Sequence, residues 1–277
     1  MGKTLFVSDL DGTLLSSDSR LSPRSVEMLN EAIAGGAMFS VATARTPSTV
    51  EPLMGMVKCH IPFVVMTGAA IWDPLSRKFS GSIHISQKTA EKIIGILRKH
   101  DLPTFVYRLT GDKIHVHHIG PLSDKELAFI SERTDSPYKI FHINAANGSA
   151  DQLPTSDISL FYSMQPSAIV EETYEEIRET VDCNPVFYHD IFGKETGIME
   201  IFSPEASKAN AVRTLRDMSG ADKIVAFGDN MNDIPMLMAA DVAVAVENAV
   251  PEVKRIADII IGANTDDAVP RFILSSL

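Results

Sequence analysis

Cysteine is scarce in this chain of 277 residues: Cys59 and Cys183 stand far apart, without metal-ligand spacing. They read as small buried hydrophobes, a usage that fits a reducing compartment. Positive charge is also short. Lys and Arg number 25 against 36 Asp and Glu, a formal net charge of −11. That excludes the basic footprint of a nucleic-acid binder or of a protein held on an anionic membrane. Any anionic ligand must then be held by local positive groups. Long apolar runs are missing too, since none approaches the ~20 residues of a membrane span. The stretch from Lys3 to Ser8 is too short for a signal peptide. These absences predict a soluble cytoplasmic protein that works on neither nucleic acid nor membrane. What is present is 45% hydrophobic residues, ample for the core of one large or two ordinary domains.

The stretch Phe6-Val7-Ser8-Asp9-Leu10-Asp11-Gly12-Thr13 organises the rest. Leu5, Phe6 and Val7 read as a buried strand, too short for a helix, and two carboxylates at i and i+2 fall where that strand ends. Gly12 permits a turn there, so one carboxylate can attack while the other handles protons. A helix follows over Pro23 to Ala34, with Ser22 as N-cap, and then a strand over Met38 to Ala42. That strand runs into Thr43-Ala44-Arg45-Thr46-Pro47, where Thr46 is expected to cap the next helix. Thr43 thus lies between a strand end and a helix start, a place where free N–H groups attract anions. A third strand, Ile61 to Met66, ends in Thr67-Gly68-Ala69, and a polar hairpin runs from Ile71 to Ile83.

The pattern then changes. A helix near Gln87 to Arg98 precedes the hairpin strands Thr104–Leu109 and Lys113–His118. Helical stretches at Ser123 to Arg133 and Ala168 to Val181 mix with strands at Ile158–Met164, Val186–Tyr188 and Gly197–Phe202. This is an α+β segment, about residues 83–203, inserted into an α/β chain made of 1–82 and 204–277. Within it His115 and His117 share one strand face, which makes a two-histidine metal pair conceivable beside the plainer reading of a polar strand face. His118, Tyr107, Arg108 and Tyr188-His189-Asp190 are further polar candidates.

The α/β pattern resumes at Ser203. Ser207 is a fair N-cap, which places Lys208 in a first helical turn, where the helix dipole disfavours a cation unless an anion shares that end. The strand Lys223 to Phe227 opens into Gly228-Asp229-Asn230-Met231-Asn232-Asp233, a cluster of hard oxygen donors suited to Mg²⁺. A calcium loop is rejected: counted from Asp9, Leu14 and Arg20 hold the positions that need Gly and Glu, and counted from Asp229, Ile234 and Ala240 do. Strands at Val242–Val246 and Asp258–Ile261, with helices at Pro251–Ala257 and Asp267–Ser275, close the chain.

These four stretches, in this order, resemble the motifs of the haloacid dehalogenase superfamily of phosphatases, in its Cof-type branch with an α+β cap. The resemblance implies a Rossmann-like, doubly wound parallel sheet with the site at the carboxyl ends of its strands, and a cap that closes over it. It implies that Asp9 attacks phosphorus to give an aspartyl-phosphate and that Asp11 exchanges protons with leaving group and water. Mg²⁺ would be held by Asp9, the Asp11 carbonyl and Asp229, with Asn232 or Asp233 as ligand or as support. Thr43 and Lys208 would stabilise the phosphoryl oxygens, and Ala44, Arg45 and Asn232 would line the substrate. Two departures stand out, Thr67 where relatives carry Asn and Ala209 where they often carry Gly. The implied substrate is a small phosphorylated metabolite such as a sugar phosphate. A phosphomutase or phosphotransferase would use the same intermediate, and a phospho-accepting receiver module would share the acidic cluster, though not the Asp-x-Asp spacing or the long insert.

Overall fold

Strands buried on both faces need neighbours on both sides and helices above and below, and the opening strand meets both conditions. A computed structural model describes residues 2–143, 153–190 and 193–277. The chain begins with β1 (Thr4–Ser8), α1 (Pro23–Ala34), β2 (Met38–Val41), α2 (Pro47–Met54), β3 (Phe63–Val65), β4 (Ala70–Asp73) and β5 (Lys78–Ser82). It continues with α3 (Gln87–Lys99), β6 (Thr104–Thr110), β7 (Lys113–Ile119), α4 (Asp124–Ser131), β8 (Lys139–Phe141), β9 (Ile158–Pro166), α5 (Ser167–Thr180), β10 (Asn184–Asp190) and β11 (Gly193–Phe202). It ends with α6 (Lys208–Ser219), β12 (Lys223–Gly228), α7 (Ile234–Ala239), β13 (Val242–Ala245), α8 (Pro251–Ile256), β14 (Ile259–Ile260) and α9 (Ala268–Ser275). Two compact units result: Met1–Gly81 with Ser207–Leu277, and Ser82–Ala206.

In the first unit a parallel sheet has the order β14-β13-β12-β1-β2. Leu5, Phe6 and Val7 are buried, as are Ile224 to Phe227 on the neighbouring β12, because α1 packs with α9 and α6 with α7 against the sheet. Phe227 fixes this packing, stacking on Phe6 and meeting the Phe272 ring edge-on at 5.5 Å. Strand β3 joins beside β2 through the Ala42–Val64 bridge and starts a small sheet, β3-β4-β5. The fold is therefore α/β, as the alternating pattern predicts.

Local chemistry sets the helix starts. The Ser22 hydroxyl accepts the Ser25 N–H, and Ser207 accepts that of Asn210 at 3.1 Å. Thr46 departs from expectation: it holds the N-cap position of α2 without a side-chain cap. Its carbonyl takes the Thr49 N–H at 3.0 Å in a tight i to i+3 turn, so that donor is satisfied without the hydroxyl.

The second unit is an antiparallel sheet of order β10-β11-β9-β6-β7, extended by β8 in parallel beside β7. Helices α3 and α5 cover one face through Ile93, Leu97, Val106, Phe161, Val170 and Ile201. Helix α4 sets Phe129 against Phe105 and Tyr162, residues whose strand neighbours face the other way. Strand β8 has no counterpart in the sequence pattern, since three residues are too few to show periodicity. Strands β10 and β11 run longer than the apolar runs within them, because backbone pairing continues past the buried positions.

Candidate active site

The carboxyl ends of β1, β2 and β12 lie side by side, and the acidic residues follow from where those strands stop. The Asp9 N–H still donates to the Phe227 carbonyl at 3.0 Å, so Asp9 is held as the last ladder residue before the chain turns. Gly12 makes the turn at φ 82°, and a Cβ there would stand 2.4 Å from Asp229 Oδ2. Glycine is thus what lets the loop approach Asp229. Thr13 Oγ1 donates to Asp229 Oδ1 at 2.8 Å, which ties the first loop to the one after β12. At the base of that second loop Gly228 plays the same part, because a Cβ would meet Asp233 Cβ at 2.6 Å.

Lys208 reaches in from the first turn of α6. Its Nζ donates to Asp9 Oδ1 at 2.5 Å and to Asp233 Oδ1 at 2.7 Å, with side-chain exposures of 1%, 8% and 0% for the three groups. The other Asp233 oxygen accepts the backbone N–H groups of Asp229 and Asn230 at 3.1 and 3.2 Å. Carboxylate oxygens of Asp9, Asp229 and Asp233 lie within 4.8 Å of one another. One ammonium cannot balance three carboxylates. Burial, with Asp233 and Asp229 adding repulsion against the Lys208 attraction, pushes the Asp9 carboxyl up to about 7. Burial also lifts Asp229 to about 6, opposed by the Thr13 hydrogen bond. For Lys208 burial works against the charge, yet Asp9 and Asp233 hold its ammonium above the usual lysine range. A buried set of hard oxygens with excess negative charge fits a divalent cation such as Mg²⁺.

Thr43 is buried at the end of β2, anchored through its N–H to Val64 and its carbonyl to the Thr67 N–H, both at 3.0 Å. Its Oγ1 accepts the Arg45 N–H at 3.1 Å, which leaves the hydroxyl proton to donate elsewhere. Thr67 itself sits at φ 56°, a conformation uncommon for a β-branched residue. Asp11 does not join the acidic cluster through its carboxylate. Arg45 grips it with two parallel bonds, Nε to Oδ2 at 2.7 Å and Nη2 to Oδ1 at 2.6 Å.

Two sequence candidates stand apart. The Asn232 side chain is exposed and makes no hydrogen bond among the described residues, because the short turn Met231–Asp233 directs Asp233 inward. Ala44 is exposed and offers only backbone. Sequence reasoning missed Thr13 as the link to Asp229, and it missed Asn248, whose Nδ2 donates to the Gly12 carbonyl at 2.7 Å. Thr13 lies within the opening stretch and could have been found; Asn248 carries no local signal.

The histidines of the inserted unit serve one another. His115 Nδ1 lies 2.8 Å from His142 Nε2, and the His142 ring stacks on both His115 and His117. His118 turns to the other face and meets Glu126 at 3.1 Å. Among the described residues no cluster of three or more metal-ligating side chains includes a histidine, and the His115 and His117 rings, a conceivable metal pair from sequence, stack on His142 instead. Parallel rings present their faces to one another, whereas ligation needs converging in-plane lone pairs.

Residues 6–273 match the family model of haloacid dehalogenase-like hydrolases. A putative phosphatase of Haemophilus influenzae is 28% identical over 272 residues, covering 97% of this chain and 96% of its own. The pyridoxal phosphate phosphatase YbhA of Escherichia coli is 28% identical over 290 residues, covering 97% of each chain. In structure, the Thermotoga maritima protein TM0651 superposes with a TM-score of 0.78 at 22% identity, covering 100% of this chain and 98% of that one. The chain belongs to the haloacid dehalogenase-like hydrolase family, in its Cof-type branch. It is an enzyme, a phosphatase.

Proposed function

We propose that this protein is a Mg²⁺-dependent phosphomonoesterase for small phosphorylated metabolites, and that it works through an aspartyl-phosphate on Asp9. The observation that carries the reading is the buried bridge from Lys208 to Asp9 and Asp233 beside Asp229. A nucleophilic carboxylate must be ionised, and burial works against that. The Lys208 ammonium favours the charged form against that burial and leaves Asp9 one oxygen free to attack. The bond from that Asp9 oxygen to phosphorus forms as the ester P–O bond breaks. Asp11 then protonates the departing oxygen and later takes a proton from the water that hydrolyses the aspartyl-phosphate.

Mg²⁺ bound at Asp9, Asp229 and the Asp11 carbonyl would offset the repulsion between carboxylate and phosphate dianion, about 4 kcal/mol for two like charges 4 Å apart at an effective dielectric constant near 20. Both oxygens of Asp233 are already taken by hydrogen bonds, which suits it to orienting Lys208 and the Asp229 loop. The Thr43 hydroxyl donates to a phosphoryl oxygen. Arg45 exchanges the Asp11 carboxylate for phosphate oxygens, and this frees Asp11 for proton transfer.

The substrates we favour are sugar phosphates, with pyridoxal phosphate next because the Escherichia coli relative is named for it. The inserted α+β unit is assigned the choice of leaving group. The test is phosphate release from a panel of sugar, cofactor and nucleotide monophosphates, with Mg²⁺ and again with chelator. Sustained multiple turnover that chelation abolishes is the expected result. No release from any member in the presence of Mg²⁺ refutes the reading.

A further inference from the structure

The two acidic loops are fastened to one another by a segment that contributes no carboxylate to them. Parallel strands end on one side of their sheet, so the chain segments after β1, β12, β13 and β14 emerge there as neighbours. The turn after β13 bonds to both loops. On the β12 side, Val246 and Val250 donate their N–H groups to the Gly228 and Asp229 carbonyls at 3.4 and 2.9 Å. On the β1 side, Asn248 Nδ2 donates to the Gly12 carbonyl at 2.7 Å. The segment after β14 completes the connection. The Asn264 N–H donates to Asn248 Oδ1 at 2.9 Å, and Asn264 Nδ2 donates to the Leu15 carbonyl at 2.7 Å. A backbone N–H can only donate and a backbone carbonyl can only accept, so these partners permit a single orientation of the Asn248 amide.

What the amides hold is a loop with a glycine at its bend. Gly12 stands at φ 82°, and glycine is the residue least restrained by its own sterics. The Asp11 carbonyl and the Gly12 nitrogen belong to one peptide unit, so rotation about the Gly12 φ bond re-aims that carbonyl. Beyond the bend, Thr13 is held through its Oγ1 to Asp229 at 2.8 Å and its N–H to the Leu10 carbonyl at 3.3 Å. Asn248 fixes the Gly12 carbonyl between these points. Asn248 is also exposed, so its bonds compete with water and add little to the stability of the fold.

We infer that Asn248 and Asn264 are positioning residues of the metal site, a strap of two amides that fixes the Gly12 peptide and so sets the direction of the Asp11 carbonyl. The inference rests on the reading given above, in which that carbonyl joins Asp9 and Asp229 in holding Mg²⁺. Groups that orient a ligand without touching the ion commonly account for ten- to hundredfold of metal affinity.

The experiment is calorimetric titration of the whole, substrate-free protein with Mg²⁺, beside thermal unfolding in chelator. Asn248→Ala is expected to bind Mg²⁺ about ten- to a hundredfold more weakly, while its midpoint in chelator stays within about 2 °C of wild type. Asn264→Ala loses the bond to Leu15 and keeps its backbone bond to Asn248, so it should weaken binding by a smaller factor, about threefold or more. Wild-type affinity in a folded Asn248→Ala protein overturns the inference and leaves the metal reading standing. Weaker binding together with a much lower midpoint in chelator overturns it too, since the amide would then serve the fold and not the ion. Should Asn248→Ala fail to fold, unchanged affinity in Asn264→Ala is the refuting result. A wild type that binds no Mg²⁺ overturns the metal reading and the strap with it.

Discussion

Replacing Lys208 by Met removes a charge and little volume, and the structure says what should follow. The Nζ bridges two carboxylates at 2.5 and 2.7 Å, with all three groups nearly out of solvent. Taking the cation away strands buried Asp9 and Asp233 beside Asp229, and loss of one partner from a buried ion pair costs about 3–5 kcal/mol. For a folding unit on the order of 150 residues the unfolding entropy is about 0.3 kcal/mol/K, so the midpoint should fall by roughly 10–15 °C. The assay is thermal unfolding of wild type and Lys208→Met at pH 7.5 in chelator, followed by a Mg²⁺ titration. Because Mg²⁺ relieves the same repulsion, it should recover about 2.7 kcal/mol when present at a hundred times its Kd. A midpoint within about 2 °C of wild type in chelator would mean that Lys208 does not neutralise the cluster, since that is the scale of an exposed substitution.

Asp229→Asn should abolish the Mg²⁺-dependent rise in midpoint and, because burial disfavours the Asp229 charge at pH 7.5, raise the chelator value above wild type, both of which the same titration reads. Lys139→Met should stabilise the protein at pH 7. The folded amine lies near 8 and the unfolded one at 10.5, so below pH 8 the folded state bears the whole cost of the buried charge, about 3 kcal/mol. That gain should fade as the pH rises from 8 to 10.5, and urea unfolding at pH 7 and pH 10 checks it. Glu126→Gln should cost about 1–3 kcal/mol at pH 7. Burial opposes the Glu126 charge, yet bonds from His118 and Ser123 hold its carboxyl below the usual 4.5, so this stability is present above 4.5 and is lost as pH falls through the depressed value. Urea unfolding of both proteins at pH 7 and at pH 3 should show the difference shrinking at the lower pH.

The α/β core was legible because its strands are apolar runs that end at punctuating residues. Phe6-Val7 stops at Asp9, and Ala226-Phe227 stops at Gly228. The convergence of Asp9, Lys208, Asp229 and Asp233 could be anticipated from motif order, together with the oddity of a lysine at a helix start. Side-chain direction could not. Within Asn232-Asp233, one residue apart, a 3₁₀ turn sends the carboxylate inward and the amide outward, and no composition rule distinguishes them. The grip of Arg45 on Asp11 spans 34 residues and depends on two loops meeting, which a linear pattern does not encode. The inserted unit was harder for the same reason. His142 completes the histidine stack from outside the His115–His118 run, and β8, which places Lys139, is too short to show in periodicity.

The central claim is that Asp9 takes the phosphoryl group, and Asp9→Asn tests it most directly. With Mg²⁺ and any monoester that the wild type hydrolyses, the variant should fold as the wild type does and release phosphate no faster than buffer. Acid-quenched wild type should carry phosphate on the peptide containing Asp9. A folded Asp9→Asn protein that turns over at the wild-type rate would contradict the account.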